Sequence, residues 1–188
     1  MLIGILAALS ASAAGGMRIG LPLLVIGILR SQQLWSNLPI LSYIQAPILI
    51  GVVTSWSLFE LLGSKKLLGQ RIIQIIQLVF SPIVGGIMGM TVVKMTDIPV
   101  PMWLIGIVGG LLALVLKLVH VGWFFRLRGI PIWVVFIEDF LCVFLVLFAF
   151  KAPENGGLIA MLLLWIAIRS ATEWRRWYLE KKRPPQER

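Results

Sequence analysis

Two acidic residues, Glu138 and Asp139, interrupt an otherwise apolar stretch that runs from Ile130 to Phe150. Placing one such charge at the centre of a bilayer costs about 2.5–3.5 kcal/mol on the translocon scale. Consecutive residues of a helix point about 100° apart, so we expect one carboxylate to meet a basic partner and the other to face a cavity or neighbouring backbone. Repulsion between them favours a proton on one of the two, which suits proton carriage. The alternative is a buried ion network that only fixes helix packing.

Three basic side chains inside other apolar stretches are the candidate partners: Arg18, Lys117 and His120. Lys117 and His120 lie three residues apart, on one face of a helix. Together with Glu138 and Asp139 they form a predicted intramembrane polar site. A haem or chlorophyll ligand at His120 is the weaker interpretation, because the sequence has one histidine. With one cysteine as well, a disulfide framework and a Cys/His-rich metal site are excluded within one chain, and no cofactor or metal is expected.

Further polar residues extend this pattern. Glu60 precedes Lys65 by five residues. The two are either solvated interfacial charges or the mouth of a pathway. Their spacing alone favours solvated charges. A polar stripe at helical spacing comprises Gln70, Gln74, Gln77 and Ser81. In a membrane this stripe must face inward, either as interhelical hydrogen bonds or as the wall of a wet cavity. Glycines spaced about one helical turn apart predict close helix packing, and these are Gly16, Gly20, Gly85, Gly89, Gly106 and Gly110.

The elements that must position these residues are membrane helices. The chain has 188 residues, 59% hydrophobic and 13% charged, where a soluble domain is about a quarter charged. Six apolar segments, each close to or above the roughly 20 residues of a spanning helix, cover residues 2–29, 39–62, 72–93, 101–125, 130–150 and 156–174. The sequence therefore predicts an all-α, polytopic helical bundle. The first segment is expected to be mature and not a cleaved signal peptide, and to be broken or re-entrant, because Gly15-Gly16 and Pro22 flank Arg18.

Basic residues alternate between the two sides of this predicted bundle. The second and fourth loops and the tail carry Lys65, Lys66, Arg71, Arg126, Arg128, Arg175, Arg176, Lys181, Lys182, Arg183 and Arg188, against Arg30, Lys94 and Lys151 on the other loops. The positive-inside rule then predicts a cytoplasmic C-terminus. Residues 1–174 form one transmembrane domain with halves of about 1–95 and 101–174. The basic tail, 175–188, is expected on anionic lipids and not on nucleic acid, and homo-oligomerisation stays open.

A short internal recurrence raises the question of duplication. Leu2-Ile3-Gly4-Ile5 recurs as Leu104-Ile105-Gly106-Ile107, and at the same offset Met17-Arg18-Ile19-Gly20 aligns with Val119-His120-Val121-Gly122. Three segments per half would place the halves in opposite orientations, as in the inverted repeats of transporters, with Arg18 and His120 equivalent. The alternative is chance recurrence in a sequence rich in Leu, Ile and Gly.

Several motifs resemble those of the membrane family called domain of unknown function 4126. They are Gly15-Gly16-Met17-Arg18-Ile19-Gly20-Leu21-Pro22-Leu23-Leu24, Glu60 with Lys65, Ser81-Pro82-Ile83-Val84-Gly85-Gly86, and Glu138-Asp139 before Pro153. The resemblance covers nearly the whole chain and implies its fold and boundaries. In that family an acidic residue is expected just before the lysine, where this chain has Ser64, a departure that suggests a cyanobacterial-like branch. The resemblance implies a bacterial inner membrane or, for a cyanobacterial chain, a thylakoid membrane, and it implies no substrate.

Two functions fit these residues. One is a small transporter or channel-like protein, proton-coupled through Glu138 or Asp139, with a polar cavity lined by Arg18, Glu138 and the glutamine stripe. The other is a non-transporting scaffold or assembly factor whose buried charges fix helix packing. Phosphate-loop, serine-elbow and zinc-helix signatures do not occur in the sequence, so an enzyme is not favoured.

Overall fold

The computed structural model describes residues 2–29, 46–63, 67–96, 99–127 and 129–181. The described residues form seven helices and no strand, which confirms the all-α prediction. The helices are α1 (Leu2–Met17), α2 (Gly20–Leu29), α3 (Ala46–Gly63), α4 (Leu67–Thr96), α5 (Met102–Leu127), α6 (Ile132–Lys151) and α7 (Pro153–Lys181).

Four of the described helices are long and apolar enough to cross a membrane. The apolar portions cover Gly69–Thr96 of α4, Met102–Leu127 of α5, Ile132–Lys151 of α6 and Pro153–Arg176 of α7. At 1.5 Å per residue, about 20 residues of helix span the roughly 30 Å hydrocarbon core. The surfaces of these helices carry exposed large apolar side chains, such as Ile75, Trp103 and Phe140, which suit contact with lipid. These helices are those of an integral membrane protein, while the exact number of six segments stays a prediction.

The first predicted segment is broken, because α1 ends at Met17 and α2 begins at Gly20. Pro22 explains the position of the break. A proline has no N–H for the carbonyl four residues earlier, and its ring clashes with that carbonyl, which here belongs to Arg18. Pro22 itself lies in the first turn of α2, where proline is tolerated. The backbone around Arg18 and Ile19 is therefore non-helical inside an apolar segment.

Helix α1 lies at the centre of the bundle and contacts α4, α5, α6 and α7. Its buried residues are almost all small, and they run as Gly4, Ala7, Ala8, Ser10, Ala11, Ser12, Ala13, Ala14, Gly15 and Gly16. Small side chains let helix backbones approach closely where lipid supplies no hydrophobic drive for association. The hydroxyl of Ser10 donates a 2.7 Å hydrogen bond to the carbonyl oxygen of Leu145 on α6, which ties α1 to its neighbour.

All six glycines predicted to support packing lie at contacts between helices. A Cβ added at Gly16 would lie 2.7 Å from the Cα of Ala113, and one at Gly20 would lie 2.8 Å from the Cα of Ser57. At the other four positions an added Cβ would also meet a neighbouring helix: Ala113 and Gly109 at Gly85, Ser12 at Gly89, Met90 at Gly106 and Pro82 at Gly110. The contacts between α1, α4 and α5, and between α2 and α3 at Gly20, therefore leave little room for a methyl group at these positions.

The suggested repeat relates the first segment to α5. Helix α5 continues without interruption through His120, whereas the first segment breaks at Arg18. The residue at the position equivalent to Pro22 is Phe124, which retains its backbone N–H and keeps α5 helical. The inverted repeat stays a prediction.

Candidate functional site

Arg18 projects from the break between α1 and α2 toward the two consecutive acids of α6. Its Nε lies 2.8 Å from Oδ1 of Asp139, and its Nη2 lies 3.8 Å from Oε2 of Glu138. Arg18 is 3% exposed, so this ion pair forms away from solvent. A guanidinium suits such a site because it stays charged and offers several donors in a planar fork. Asp139 is therefore the closer partner of Arg18.

His120 reaches the same cluster from α5. Its Nδ1 lies 3.6 Å from Oε1 of Glu138, which is longer than a hydrogen bond. Among the described residues, Oε1 of Glu138 and Nε2 of His120 have no hydrogen-bond partner. An unpaired buried acceptor costs about 1–3 kcal/mol, and more when it is charged. Glu138 thus has one oxygen next to the guanidinium of Arg18 and the other buried without a hydrogen-bond partner among the described residues.

Glu60, on α3, holds the first turn of α2. Its carboxylate accepts hydrogen bonds from the backbone N–H groups of Ile19 (3.3 Å) and Gly20 (3.0 Å), and from the indole N–H of Trp56 (3.0 Å). A negative charge at this end stabilises a helix because its free N–H groups and dipole are positive. Glu60 is 1% exposed, so its interpretation as a solvated interfacial charge is wrong.

Gln77 of α4 links Glu60 to Lys117 of α5. Its side-chain N–H donates a 2.8 Å hydrogen bond to Oε1 of Glu60, and its Oε1 accepts one from the ammonium group of Lys117. The same ammonium group lies 3.4 Å from the carbonyl oxygen of Met17, the last residue of α1. A cation at this end complements the negative pole of α1. The two ends of the broken helix are therefore each held by an opposite charge, and Gln77 joins these charges.

The other members of the glutamine stripe differ in their hydrogen bonds. Gln70 exchanges two hydrogen bonds with the backbone of Ile130, at 3.2 and 3.3 Å. The hydroxyl of Ser81 donates to the carbonyl oxygen of Ala113 at 3.2 Å. Gln74 is buried, and its Oε1 has no hydrogen-bond partner among the described residues. Interhelical hydrogen bonding therefore describes Gln70, Gln77 and Ser81.

A cavity of about 380 Å³ lies between α5, α6 and α7, next to the end of α1. It is largely apolar, and Glu138 and His120 lie on its wall. The lining residues include neither Arg18 nor a member of the glutamine stripe, which differs from the cavity expected from the sequence. They are Gly16, Met17, Leu116, Val119, His120, Trp123, Leu127, Ile130, Pro131, Trp133, Val134, Ile137, Glu138, Leu141, Leu163, Ile166 and Ala167.

The structure brings together most of the charged residues singled out in the sequence. Arg18, Glu138, Asp139 and His120 form one group, called here the ion cluster. Glu60, Gln77 and Lys117 form a second, called here the break clamp, with Lys117 directed to Gln77 and Met17. Lys65 lies outside the described residues. Sequence reasoning missed Trp56, although its position four residues before Glu60 places both on one helix face.

Comparison with known proteins agrees with this architecture. The family model of the domain of unknown function DUF4126 matches residues 5–173. The chain belongs to this family. The match extends from α1 through most of α7, so it includes both the ion cluster and the break clamp of this DUF4126 member. No curated protein and no solved structure matches the chain significantly. In the described part of the chain, no group of three or more His, Cys, Asp or Glu residues is arranged to hold a metal ion.

Proposed function

We propose that this membrane protein is a small proton-coupled transporter and that Glu138, with His120, is its proton site. The observation that carries the proposal is the charge balance of the buried groups. Asp139 pairs with Arg18, and Glu60 is linked to Lys117 through Gln77. The carboxylate of Glu138 then has no positive charge to balance it, because a neutral His120 carries none. A proton or a cation at this carboxylate removes the imbalance, which is costly inside a membrane.

The break clamp and the ion cluster also differ in how completely their polar atoms are hydrogen-bonded. The carboxylate of Glu60 accepts four hydrogen bonds, from Ile19, Gly20, Trp56 and Gln77. By contrast, Oε1 of Glu138 and Nε2 of His120 lack partners among the described residues. Charges that serve packing alone favour complete hydrogen bonding, since every unmet group is a cost. The break clamp fits a structural role, and the ion cluster fits a group that exchanges protons.

The broken first segment supports the same proposal. Half-helices whose ends point at binding groups recur in secondary transporters, where non-helical backbone lines a protein interior. Here the non-helical residue Arg18 carries the cation of the ion cluster, so a movement of α2 relative to α1 would change its distance from Asp139 and Glu138. Protonation of Glu138 would weaken the attraction of Arg18 to α6. This links the charge state of the cluster to the conformation of the break.

Proton flux into lipid vesicles tests the proposal. The protein is reconstituted in vesicles loaded with pyranine, with potassium and valinomycin to compensate charge, and the outside is acidified. We expect Glu138→Gln to reduce the protein-dependent flux at least tenfold while the variant stays folded. Glu173→Gln is the matched control, because Glu173 is an exposed carboxylate paired with Arg169 on α7. A Glu138→Gln protein that dissipates the gradient at the wild-type rate contradicts the proposal.

A second candidate function is a non-transporting scaffold, which the fully hydrogen-bonded break clamp favours. This alternative predicts that no variant of the ion cluster alters proton flux and that Glu138→Gln lowers the melting temperature. An infrared pH titration provides an independent readout, since a protonated carboxyl has its own carbonyl stretch. The transporter predicts such a band in the wild type and its loss in Glu138→Gln.

A further inference from the structure

The cavity between α5, α6 and α7 has a polar end and an apolar end. Glu138 and His120 lie at the polar end, while Pro131 and Trp133 lie near the start of α6 and Trp123 lies near the end of α5. Glu138 follows Pro131 by seven residues, which is roughly 10 Å along a helix. The volume of the cavity, about 380 Å³, falls within the range of small-molecule sites. Such a lining suits an elongated, largely apolar molecule with one polar group.

The polar end offers a hydrogen-bond acceptor with negative charge. The side chain of Glu138 is 7% exposed, and its Oε1 has no hydrogen-bond partner in the described part of the chain. The two cations nearby are occupied, Arg18 by Asp139 and Lys117 by Gln77 and Met17. An anionic head group would meet Glu138 without a free cation to offset it, so the site disfavours anions.

We propose that this cavity binds a lipophilic primary ammonium ion, with its N–H group donating to Oε1 of Glu138 and its apolar body between α5, α6 and α7. This substrate class rests on the proposed transport function. The ammonium ion neutralises the surplus charge of the ion cluster, and a charge-assisted hydrogen bond is about twice as strong as a neutral one. His120 lines the same cavity and provides a second polar side chain next to the carboxylate.

Aromatic side chains in the wall of the cavity also favour a cation. Trp123 and Trp133 both line the cavity, and their ring faces attract ammonium groups. The indole N–H of Trp123 donates a 2.6 Å hydrogen bond to the hydroxyl of Ser170 on α7, which holds that ring in place. The α7 residues that line the cavity (Leu163, Ile166 and Ala167) carry no ionisable group, so Glu138 is the acidic group on its wall.

Binding of the ammonium ion exchanges it for a proton. A protonated Glu138 carboxyl and R–NH₃⁺ become a carboxylate paired with R–NH₃⁺ and a released H⁺, so charge and atoms balance. The groups that act on this exchange are Arg18, Asp139 and His120, in contact with the cluster, and Lys117 next to it. Because proton and ammonium ion compete for one carboxylate, the apparent Kd for the amine rises up to about tenfold for each unit by which pH falls, wherever free Glu138 is protonated.

Calorimetric titration of the whole protein in lipid nanodiscs tests the inference. The probes are 4-phenylbutylamine, which is protonated, and 4-phenylbutanol, which has the same apolar body without the charge. We expect the amine to bind at least tenfold more tightly than the alcohol, and Glu138→Gln to weaken amine binding at least tenfold. Equal affinity for the two probes overturns the inference, and this comparison requires no variant.

Two adjacent leucines locate the site. Leu163 lines the cavity, whereas Leu162 is 56% exposed and does not. We expect Leu163→Trp to fill the cavity and weaken amine binding at least tenfold, while Leu162→Trp leaves it unchanged. If both variants bind like the wild type, the amine occupies lipid or another site and the inference fails.

Proton release, measured in weak buffer during the same titration, separates this inference from the proposed function. Amine binding that depends on Leu163 but releases no proton supports the cavity site and contradicts proton coupling. Proton flux that depends on Glu138 without amine binding supports coupling and contradicts the substrate class.

Discussion

The Nε of Arg18 lies 2.8 Å from Oδ1 of Asp139, although the neighbouring acid, Glu138, is the more deeply buried of the two. Arg18 contacts Glu138 at a longer distance of 3.8 Å. The two consecutive acids therefore differ in their contacts: Asp139 is the close partner of the arginine at the helix break, and Glu138 lies on the wall of a cavity.

This difference predicts unequal losses of stability when each of the two acids is replaced by its amide. Asp139→Asn leaves the guanidinium of Arg18 without its close partner, and breaking a buried ion pair costs about 3–5 kcal/mol. Glu138→Gln removes the surplus charge and should cost no more than about 1 kcal/mol. Equilibrium unfolding in mixed micelles measures both values. A larger loss for Glu138→Gln than for Asp139→Asn contradicts this assignment.

Glu60 is predicted to be essential for the stability of the break. Glu60→Ala would leave four hydrogen-bond donors without an acceptor, those of Ile19, Gly20, Trp56 and Gln77. Each unsatisfied buried donor costs about 1–3 kcal/mol. We expect a loss of at least about 3 kcal/mol, measured by the same unfolding assay. Glu173→Ala is the control, since an exposed helical ion pair contributes about 0.3–0.5 kcal/mol. Similar losses for both variants would show that the break does not need the carboxylate.

Two glycines provide a matched test of helix packing. In Gly16→Ala the new Cβ would lie 2.7 Å from the Cα of Ala113, so helices must separate, and overpacking costs about 1–3 kcal/mol. At Gly122 nothing lies within 4 Å of an added Cβ, and Gly122→Ala should stabilise α5 by about 0.5–1 kcal/mol through helix propensity. Melting temperatures in detergent should move in opposite directions. A shift of the same sign in both variants would contradict this packing.

Membrane orientation can be measured with single cysteines. The native Cys142 is fully buried, so the parent chain is the unlabelled control for a membrane-impermeant maleimide. The distribution of Lys and Arg predicts that Lys151→Cys reacts in intact cells and that Arg175→Cys reacts only after the membrane is opened. Both positions are exposed: Lys151 is the last residue of α6, and Arg175 lies at the end of the apolar part of α7. The reverse pattern would place the C-terminus outside.

Much of the local structure follows from short stretches of sequence. The helices follow from the length of the apolar runs, and the break at Arg18 follows from Pro22 four residues later. The burial of Glu138 and Arg18 follows from the apolar residues around them, because a charge in such a helix must face protein or water. Helix α7, however, continues to Lys181, beyond the position 175 where the sequence predicts a tail. Its amphipathic last turns lack a glycine or proline that would end the helix earlier.

The partners of each charge were less predictable. From the sequence, Lys117 is as good a partner for Glu138 as Arg18 is, yet its ammonium group contacts Gln77 and the carbonyl of Met17. Glu60 could be assigned to an interface by its spacing from Lys65, but it lies inside, at the first turn of α2. These outcomes depend on the rotation and axial position of α3, α4 and α5 relative to the break.

Sequence alone predicts that this DUF4126 protein is a helical membrane protein with a broken first segment and with charges that cannot face lipid. Those features depend on neighbours within about one helical turn and on the cost of charge in hydrocarbon. The packing of distant helices sets the rest: Asp139 holds Arg18, Gln77 joins Glu60 to Lys117, and Glu138 faces a cavity. The pairings of Gln77 join residues on different helices, 17 positions apart for Glu60 and 40 for Lys117, and short-range sequence rules do not specify how such helices pack.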